Sequence, residues 1–370
     1  MLDHGIPYKT TSQDHREALP IISQLFNENI MIKILKQIFG IDISMDTFEV
    51  RFGTTDFHQD QKISNSFTFN NTTSGFKKFI QWTQKIIISK EIPLFFVMEA
   101  TGVYYENLAY FLFLNNFNVS VVLPNKIRNY ARSLESKSKT DPIDAASITS
   151  FGLQRKLNPW TPPNNLVKSI KSLCREYHSI KTMITEVKNQ LHAKNHSHLP
   201  DKQTIKRKTL LLRMLNNQTK QIEKEIRDII QTDKELCEKV ERLDKIKGLG
   251  FISVVTVIAE TNCFELVANQ KQLASYAGLD VVFNDSGIKK GKTSISKRGN
   301  KFIRTVVFMP ALSACKHNHK MKELYIRLLS KGKNKKLALI AIARKLLLLI
   351  YTIWKNNTDY IPNYNPSISK

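Results

Sequence analysis

Acidic residues are scarce in this chain. Its 370 residues include 32 Asp and Glu against 56 Lys and Arg, a formal net charge of +24. A deficit that large points to a polyanionic partner, because every phosphate neutralised by a cation releases condensed counterions. The plainer alternative is a basic protein with solvated lysines. Cysteine is sparse as well: Cys174, Cys237, Cys263 and Cys315 lie far apart with no Cys-x-x-Cys pair. That spacing excludes a zinc ribbon and a disulfide framework and fits a reducing cytoplasm. A long uncharged apolar run is also missing, since the stretch 337–354 is broken by Arg344 and Lys345 and residues 1–24 hold no signal-peptide core. No membrane span is expected. The 42% apolar content excludes wholesale disorder, and the length allows two or three domains.

Along the chain, residues 39–44 read as a buried strand, and 47–52 and 62–69 alternate as antiparallel strands do. Residues 76–89 have helical spacing, 93–98 form a short apolar run typical of a strand covered on both faces, 104–114 are helical and 119–123 give a fifth strand. This order, closed by a helix near Pro142, is that of a ribonuclease-H-like α/β domain. From 166 to about 242 the composition becomes long, charged helices with an apolar stripe through Ile170, Ile180, Ile184 and Val187, a helical hairpin. It reads either as a protruding oligomerisation or nucleic-acid arm or as a packed linker. A mainly α region follows and ends in an apolar helix within 321–355.

Three stretches carry chemistry. In Lys139-Thr140-Asp141-Pro142-Ile143-Asp144-Ala145, Pro142 suits the first helical position, which makes Asp141 an N-cap with Asp144 one turn on. Both acids are explained by helix capping alone. Asp42 and Glu99, however, end strand-like runs upstream, and four acids on three elements form a candidate metal site. The second stretch, Ile246-Lys247-Gly248-Leu249-Gly250-Phe251, sets a Gly-x-Gly turn before a helix, where Gly248 and Gly250 would let backbone amides approach a phosphate; alone the signal is weak. The third runs from Ser286 to Arg304 and holds Lys289, Lys290, Lys292, Lys297, Arg298, Lys301 and Arg304 with no acid, a phosphate-gripping composition. Ser286, in an Asn-Asp-Ser-Gly context, is by local sequence a turn residue; as a nucleophile it needs the cationic setting that is present here.

Taken together these stretches resemble the insertion-sequence transposases that join a RuvC-like domain with Asp-Glu-Asp-Asp acids to a C-terminal serine-bearing domain, a group that includes Piv-type DNA invertases and bridge-RNA-guided recombinases. The resemblance spans about 38–350 and rests on Gly40-Ile41-Asp42-Ile43-Ser44, Glu99-Ala100-Thr101-Gly102, the 139–145 motif, Tyr276-Ala277-Gly278-Leu279, Ser286-Gly287 and Ser296-Lys297-Arg298-Gly299-Asn300. Met45 stands where the family usually has Lys, and Lys247 where Pro is common. The resemblance implies that Asp42, Glu99, Asp141 and Asp144 bind Mg²⁺ or Mn²⁺, that Ser286 forms a phosphoserine link to DNA, and that protomers of a dimer or tetramer assemble composite sites. It also implies donor and target DNA as partners, chosen by a structured noncoding RNA.

The expected layout is a polar leader over 1–37, a RuvC-like domain over 38–158, a helical hairpin over 159–243 acting as an oligomerisation arm, a serine-bearing domain over 244–356 with a helix-hairpin-helix-like element, and a tail over 357–370. Two rival readings remain. One is a Mg²⁺-dependent DNA-junction nuclease that uses water as nucleophile, with Ser286 a turn residue; the other is a noncatalytic nucleic-acid binder whose acids are caps.

Overall fold

A computed structural model of the protein describes residues 34–100, 102–133, 141–283, 286, 291 and 293–362, and of 141–143 the backbone alone. The leader over 1–33, Lys289, Lys290, Lys292 and the end of the tail lie outside the described residues. The chain divides between Pro162 and Pro163 into two compact units.

The first unit is built on a mixed sheet. Strands β1 (Ile34–Ile43), β2 (Thr47–Asp56) and β3 (Gln61–Ile63) run antiparallel, with β4 (Phe67–Asn70) also on β2, while β5 (Leu94–Glu99) and β6 (Asn118–Val122) run parallel to β1. The order β3-β2-β1-β5-β6 is that of a ribonuclease-H-like domain. Helix α1 (Thr73–Ile86) follows β4, α2 (Glu106–Leu114) links β5 to β6, and α3 (Pro124–Ser133) and α4 (Asp141–Gln154) close the unit.

Side chains alternate along a strand, so each central strand feeds two cores. Phe39, Ile41 and Phe96 pack with Phe76 and Phe79 of α1 and Leu108 and Leu112 of α2 on one face. Ile38, Val97 and Val122 meet Ile127 of α3 and Ile148 and Leu153 of α4 on the other. Cover on both faces explains why β5 reads as an unbroken apolar run. On the first face Phe39 stacks on Phe96 with centroids 5.4 Å apart and meets Phe79 edge-on at 5.9 Å.

Helix α4 lies unusually close to the sheet. A Cβ built at Gly40 would stand 2.1 Å from Thr149 Oγ1 and 2.5 Å from Thr149 N, and one at Gly53 would stand 2.4 Å from Thr149 Cγ2. Only glycine leaves room for the helix backbone there. The far end of α4 is held by Lys36, whose Nζ donates to the carbonyls of Arg155 (2.6 Å) and Leu153 (3.3 Å). A lysine at a helix C-terminus satisfies orphan carbonyls and suits the dipole; burial holds this ammonium below the ordinary lysine range.

The second unit is helical. Helices α5 (Asn165–Asn195) and α6 (Lys202–Gln231) form the hairpin, followed by α7 (Lys234–Asp244), α8 (Phe251–Glu260) and α9 (Gln270–Tyr276). A two-stranded ribbon, β7 (Val281–Val282) with β8 (Ser294–Ile295), precedes α10 (Lys301–His317), α11 (His319–Ser330) and α12 (Lys335–Asn356). One core runs through them all. The stripe of α5, Ile170, Ile180, Ile184 and Val187, is buried in it together with Leu215, Ile222, Ile226 and Ile230 of α6. Helix α12 is long and apolar enough to cross a membrane by length and composition, yet Ile342, Leu346, Leu347 and Ile350 are fully buried in this core.

Several boundaries differ from those expected. β1 begins at Ile34, inside the stretch assigned to the leader, and 62–69 splits into β3 and β4. Helix α3 was not foreseen, because only Ile127 and Tyr130 are buried in it and two apolar residues make no periodic signal. The run 210–243 is two helices, since Asp233 caps α7 by accepting from Leu236 N at 3.0 Å.

Candidate active site

Three of the four acids singled out in the sequence are placed by the first sheet and the helix covering it. Asp42 lies two residues beyond Gly40 and shares its face of β1, the face covered by α4. Glu99 lies two beyond Val97 and likewise faces α4. The parallel register joins Ile41 to Met98, so the next step brings Asp42 beside Glu99 at the C-terminal ends of adjacent strands, roughly 5 Å apart along the sheet. Gly152 packs on Ile38 and Thr149 on Gly40, hence α4 runs antiparallel to β1 and its first turn, with Asp141 and Asp144, comes to the Asp42 end. Asp42, Glu99 and Asp144 are each half-buried.

A further carboxylate, Glu49, was not singled out in the sequence. It pairs directly with Asp42 across β1 and β2, and directly opposed side chains share a face. Its oxygens accept from the hydroxyls of Ser66 and Thr68, which turn that carboxylate toward β4. Like charges opposite one another on a sheet repel. An end of a sheet that gathers Asp42, Glu49 and Glu99 therefore invites a cation, and an all-carboxylate donor set suits a hard divalent ion. Among the described residues no three His, Cys, Asp or Glu side chains are close enough to hold one ion as they stand.

In the second unit Ser286 is exposed and lies in the connection between β7 and β8. The base of this ribbon is a dense backbone lattice. Lys297 N donates to Gly278 O (3.1 Å), Ser296 N to Asp280 O (2.9 Å) and Asn300 N to Tyr276 O (2.7 Å). Arg304 donates through Nη1 to Ala277 O (2.9 Å) and Gly299 O (3.1 Å), so this guanidinium ties the turn together. Lys297, Arg298 and Lys301 are exposed. The motifs 276–279 and 296–300 are thus two sides of one joint.

That joint is anchored on Glu260, a fully buried carboxylate at the end of α8. Arg175 of α5 donates to it through Nε (2.7 Å) and Nη2 (3.0 Å), and Asn300 donates through Nδ2 (2.7 Å) while its own Oδ1 caps α10. Lys171 Nζ stands 3.8 Å away. Burial alone would raise the Glu260 pKa; the Arg175 hydrogen bond, the Lys171 charge and the Asn300 hydrogen bond outweigh it and hold the carboxyl below its ordinary value. His178, one turn beyond Arg175, is pushed below the usual histidine range by burial, against the opposing charge of Glu260. In sequence Glu260 showed only as a lone acid closing an apolar run, and Arg175 as one of many helix cations.

Gly248 and Gly250 lie in the turn between α7 and α8. Gly248 has φ +98°, and a Cβ there would meet Ala314 Cα at 2.7 Å, so this glycine serves the turn and the packing against α10. Gly250 caps α8 with nothing within 4 Å of a Cβ. The four cysteines are free thiols, and burial pushes Cys174 and Cys263 up to about 11, which removes them as nucleophiles near neutrality.

Comparison with known proteins gives this geometry a context. Residues 39–200 match the DEDD transposase model of the IS110 type, and residues 240–326 match the model described as transposase IS116/IS110/IS902 family. The pilin gene-inverting protein of Moraxella lacunata is 31% identical over 88% of this chain and 98% of its own length. The transposase for insertion sequence element IS1111A of Coxiella burnetii is 26% identical over 33% of this chain and 35% of its own. Among solved structures, Thermus thermophilus RuvC in complex with a Holliday junction substrate matches at a TM-score of 0.26 and 8% identity, over 34% of this chain and all of that one. The chain belongs to the IS110 family of transposases and is an enzyme that acts on DNA strands.

Proposed function

We propose that this transposase cuts and rejoins DNA through Ser286, assisted by a divalent cation, Mg²⁺ or Mn²⁺, at the carboxylates Asp42, Glu99, Asp141 and Asp144. The observation that carries the reading is the meeting of Asp42 and Glu99 on adjacent strand ends under the first turn of α4. The cation, when bound, neutralises phosphate charge and polarises the phosphorus. Ser286 Oγ attacks phosphorus, the new O–P bond replaces the bond to a DNA oxygen, and that oxygen leaves as a free hydroxyl. The phosphoserine link keeps the energy of the broken bond, so attack by another DNA hydroxyl rejoins the strand without an outside energy source. Exposed Lys297, Arg298 and Lys301 hold the backbone near the serine ribbon, and the Gly250 amide at the start of α8 adds a further phosphate contact. Lys289, Lys290 and Lys292 extend the same basic stretch in sequence. Pairing with a structured noncoding RNA selects the donor and target, and protomers associate as a dimer or tetramer.

The test is a trapped protein–DNA adduct. Ser286→Ala is expected to abolish adduct and strand exchange while DNA affinity changes less than about threefold, because the surrounding cations supply the binding. Adduct at wild-type yield from Ser286→Ala would overturn the serine mechanism in favour of a metal nuclease that uses water.

A further inference from the structure

The cation excess of the helical hairpin is steepest at its far end. Between residues 181 and 213, its distal part, eight Lys or Arg stand against two acids, Glu186 and Asp201. Over the rest of the hairpin, 165–180 and 214–231, six Lys or Arg stand against four acids. There an acid is used locally, in the i,i+4 pair Glu223 with Arg227 (2.9 Å). None of the distal cations joins an ion pair among the described residues; Arg207 donates to the Thr204 hydroxyl (2.9 Å) and Lys208 to the Gln190 amide. Lys188, Lys194, Lys202, Lys206, Arg207 and Arg213 are exposed.

Geometry makes this a ladder. The Lys208–Gln190 hydrogen bond fixes the antiparallel register, which sets 206–208 beside 190–192 and Arg213 near 185. At about 1.5 Å per residue, a cation from one helix or the other then recurs on average roughly every 3 Å over about 20 Å of arm. Specific contacts from the hairpin to α8 and α10 come from its proximal part: Lys171 and Arg175 to Glu260, His178 to Phe302 and Arg227 to Phe251. The basic half is therefore presented away from those anchors. No Phe, Tyr or Trp occurs between Tyr177 and Phe251; the rings near the tip are the imidazoles of His192, His196 and His198, the first two stacked with centroids 4.3 Å apart. A surface for unpaired bases stacks them on a series of aromatic rings, whereas two of the three imidazoles here stack on each other and the arm is lined by cations instead.

We infer that the distal half of the α5–α6 hairpin clamps the phosphate backbone of duplex DNA without reading its sequence. The inference rests on DNA as the substrate but not on Ser286 or on any metal. Its main competitor as occupant is a second copy of the chain seated on the exposed Met183, Leu210 and Met214 of the same arm.

The experiment uses the full chain without divalent metal, so that binding is read with no strand cleavage. The variant Lys188→Gln/Lys194→Gln/Lys202→Gln/Lys206→Gln/Arg207→Gln/Arg213→Gln is titrated across a salt series against a 40-bp duplex, a single-stranded oligonucleotide and an RNA hairpin. Duplex affinity is expected to fall at least tenfold at 100 mM salt. The slope of log K against log salt should flatten by about 0.9 for each phosphate the arm no longer neutralises. The single strand and the RNA should lose less, and replacing the four lysines by arginine should restore duplex binding. Because all six positions are exposed, the melting temperature should hold; should the sextuple variant fold poorly, Lys202→Gln/Lys206→Gln/Arg207→Gln must give about half the slope change. An unchanged duplex slope, or a larger loss for RNA, overturns the inference. So does a drop in sedimenting mass that Met183→Ser/Leu210→Ser/Met214→Ser reproduces together with the DNA defect, which would assign the arm to the second copy.

Discussion

Glu260 shows how one residue can hold a joint together. A carboxylate with no exposed surface stays ionised because Arg175 takes both oxygens and Asn300 adds a third donor. Removing one partner of such a pair leaves the other unsatisfied, at a cost of about 3–5 kcal/mol when both are buried. Arg175 is half exposed, so solvent screens part of this, and Glu260→Ala is expected to lower unfolding stability by about 3 kcal/mol in a denaturant titration. The sign of the pH dependence follows from the lowered pKa. The stability Glu260 adds is complete above the ordinary carboxylate value of 4.5 and is lost as pH falls through its lowered value. His178, held neutral by burial, contributes fully above its ordinary 6.5 and loses that contribution as pH falls through its own lowered value. Melting temperatures between pH 7 and 3 should thus decline in two stages, the upper one absent in His178→Leu and the lower one flattened in Glu260→Gln.

At the scale of elements, helix α4 decides whether the acids can meet. Its closeness to β1 depends on Gly40, where an added Cβ would meet the backbone of Thr149 as well as its hydroxyl. Gly40→Ala should therefore push the helix outward, costing about 1–3 kcal/mol and suppressing strand cleavage more than it lowers the melting temperature. Thr149→Ala alone should not rescue it, since the backbone clash remains; full rescue in a cleavage assay would show that the helix is not what the glycine serves. Much of this element was legible in the chain: Pro142 with its flanking acids announced the helix start, and alternation and apolar runs announced β1, β2 and β5. What was hidden depends on pairing across distance. Glu49 joins the carboxylate end only through its register with Asp42, and Arg175 meets Glu260 across 85 positions, relations that no local pattern records. Nor did the stripe of α5 reveal its partner, since a row of apolar residues looks the same whether α6 or another chain covers it.

For the whole molecule, the division between Pro162 and Pro163 separates the carboxylates from the serine, and each unit has its own buried core. Ligand linkage then becomes a local test of the metal reading, because an ion that binds only the folded first unit stabilises that unit alone. At a free concentration one hundred times its dissociation constant, such an ion adds about 2.7 kcal/mol. Manganese or magnesium should raise the thermal transition of the first unit and leave that of the second in place, with intrinsic aromatic fluorescence reporting mostly the first through Trp82 and Trp160 and the second through Trp354. Asp42→Asn, Glu99→Gln and Asp144→Asn should each shrink the shift, and Glu49→Gln should do so less, because its oxygens are already engaged by Ser66 and Thr68. Calcium should also raise the transition, since an all-oxygen site binds it too. If no divalent ion moved the first transition at millimolar concentration, the four acids would be left as helix caps and strand-end charges, and phosphate activation would have to come from the lysines and arginines around Ser286.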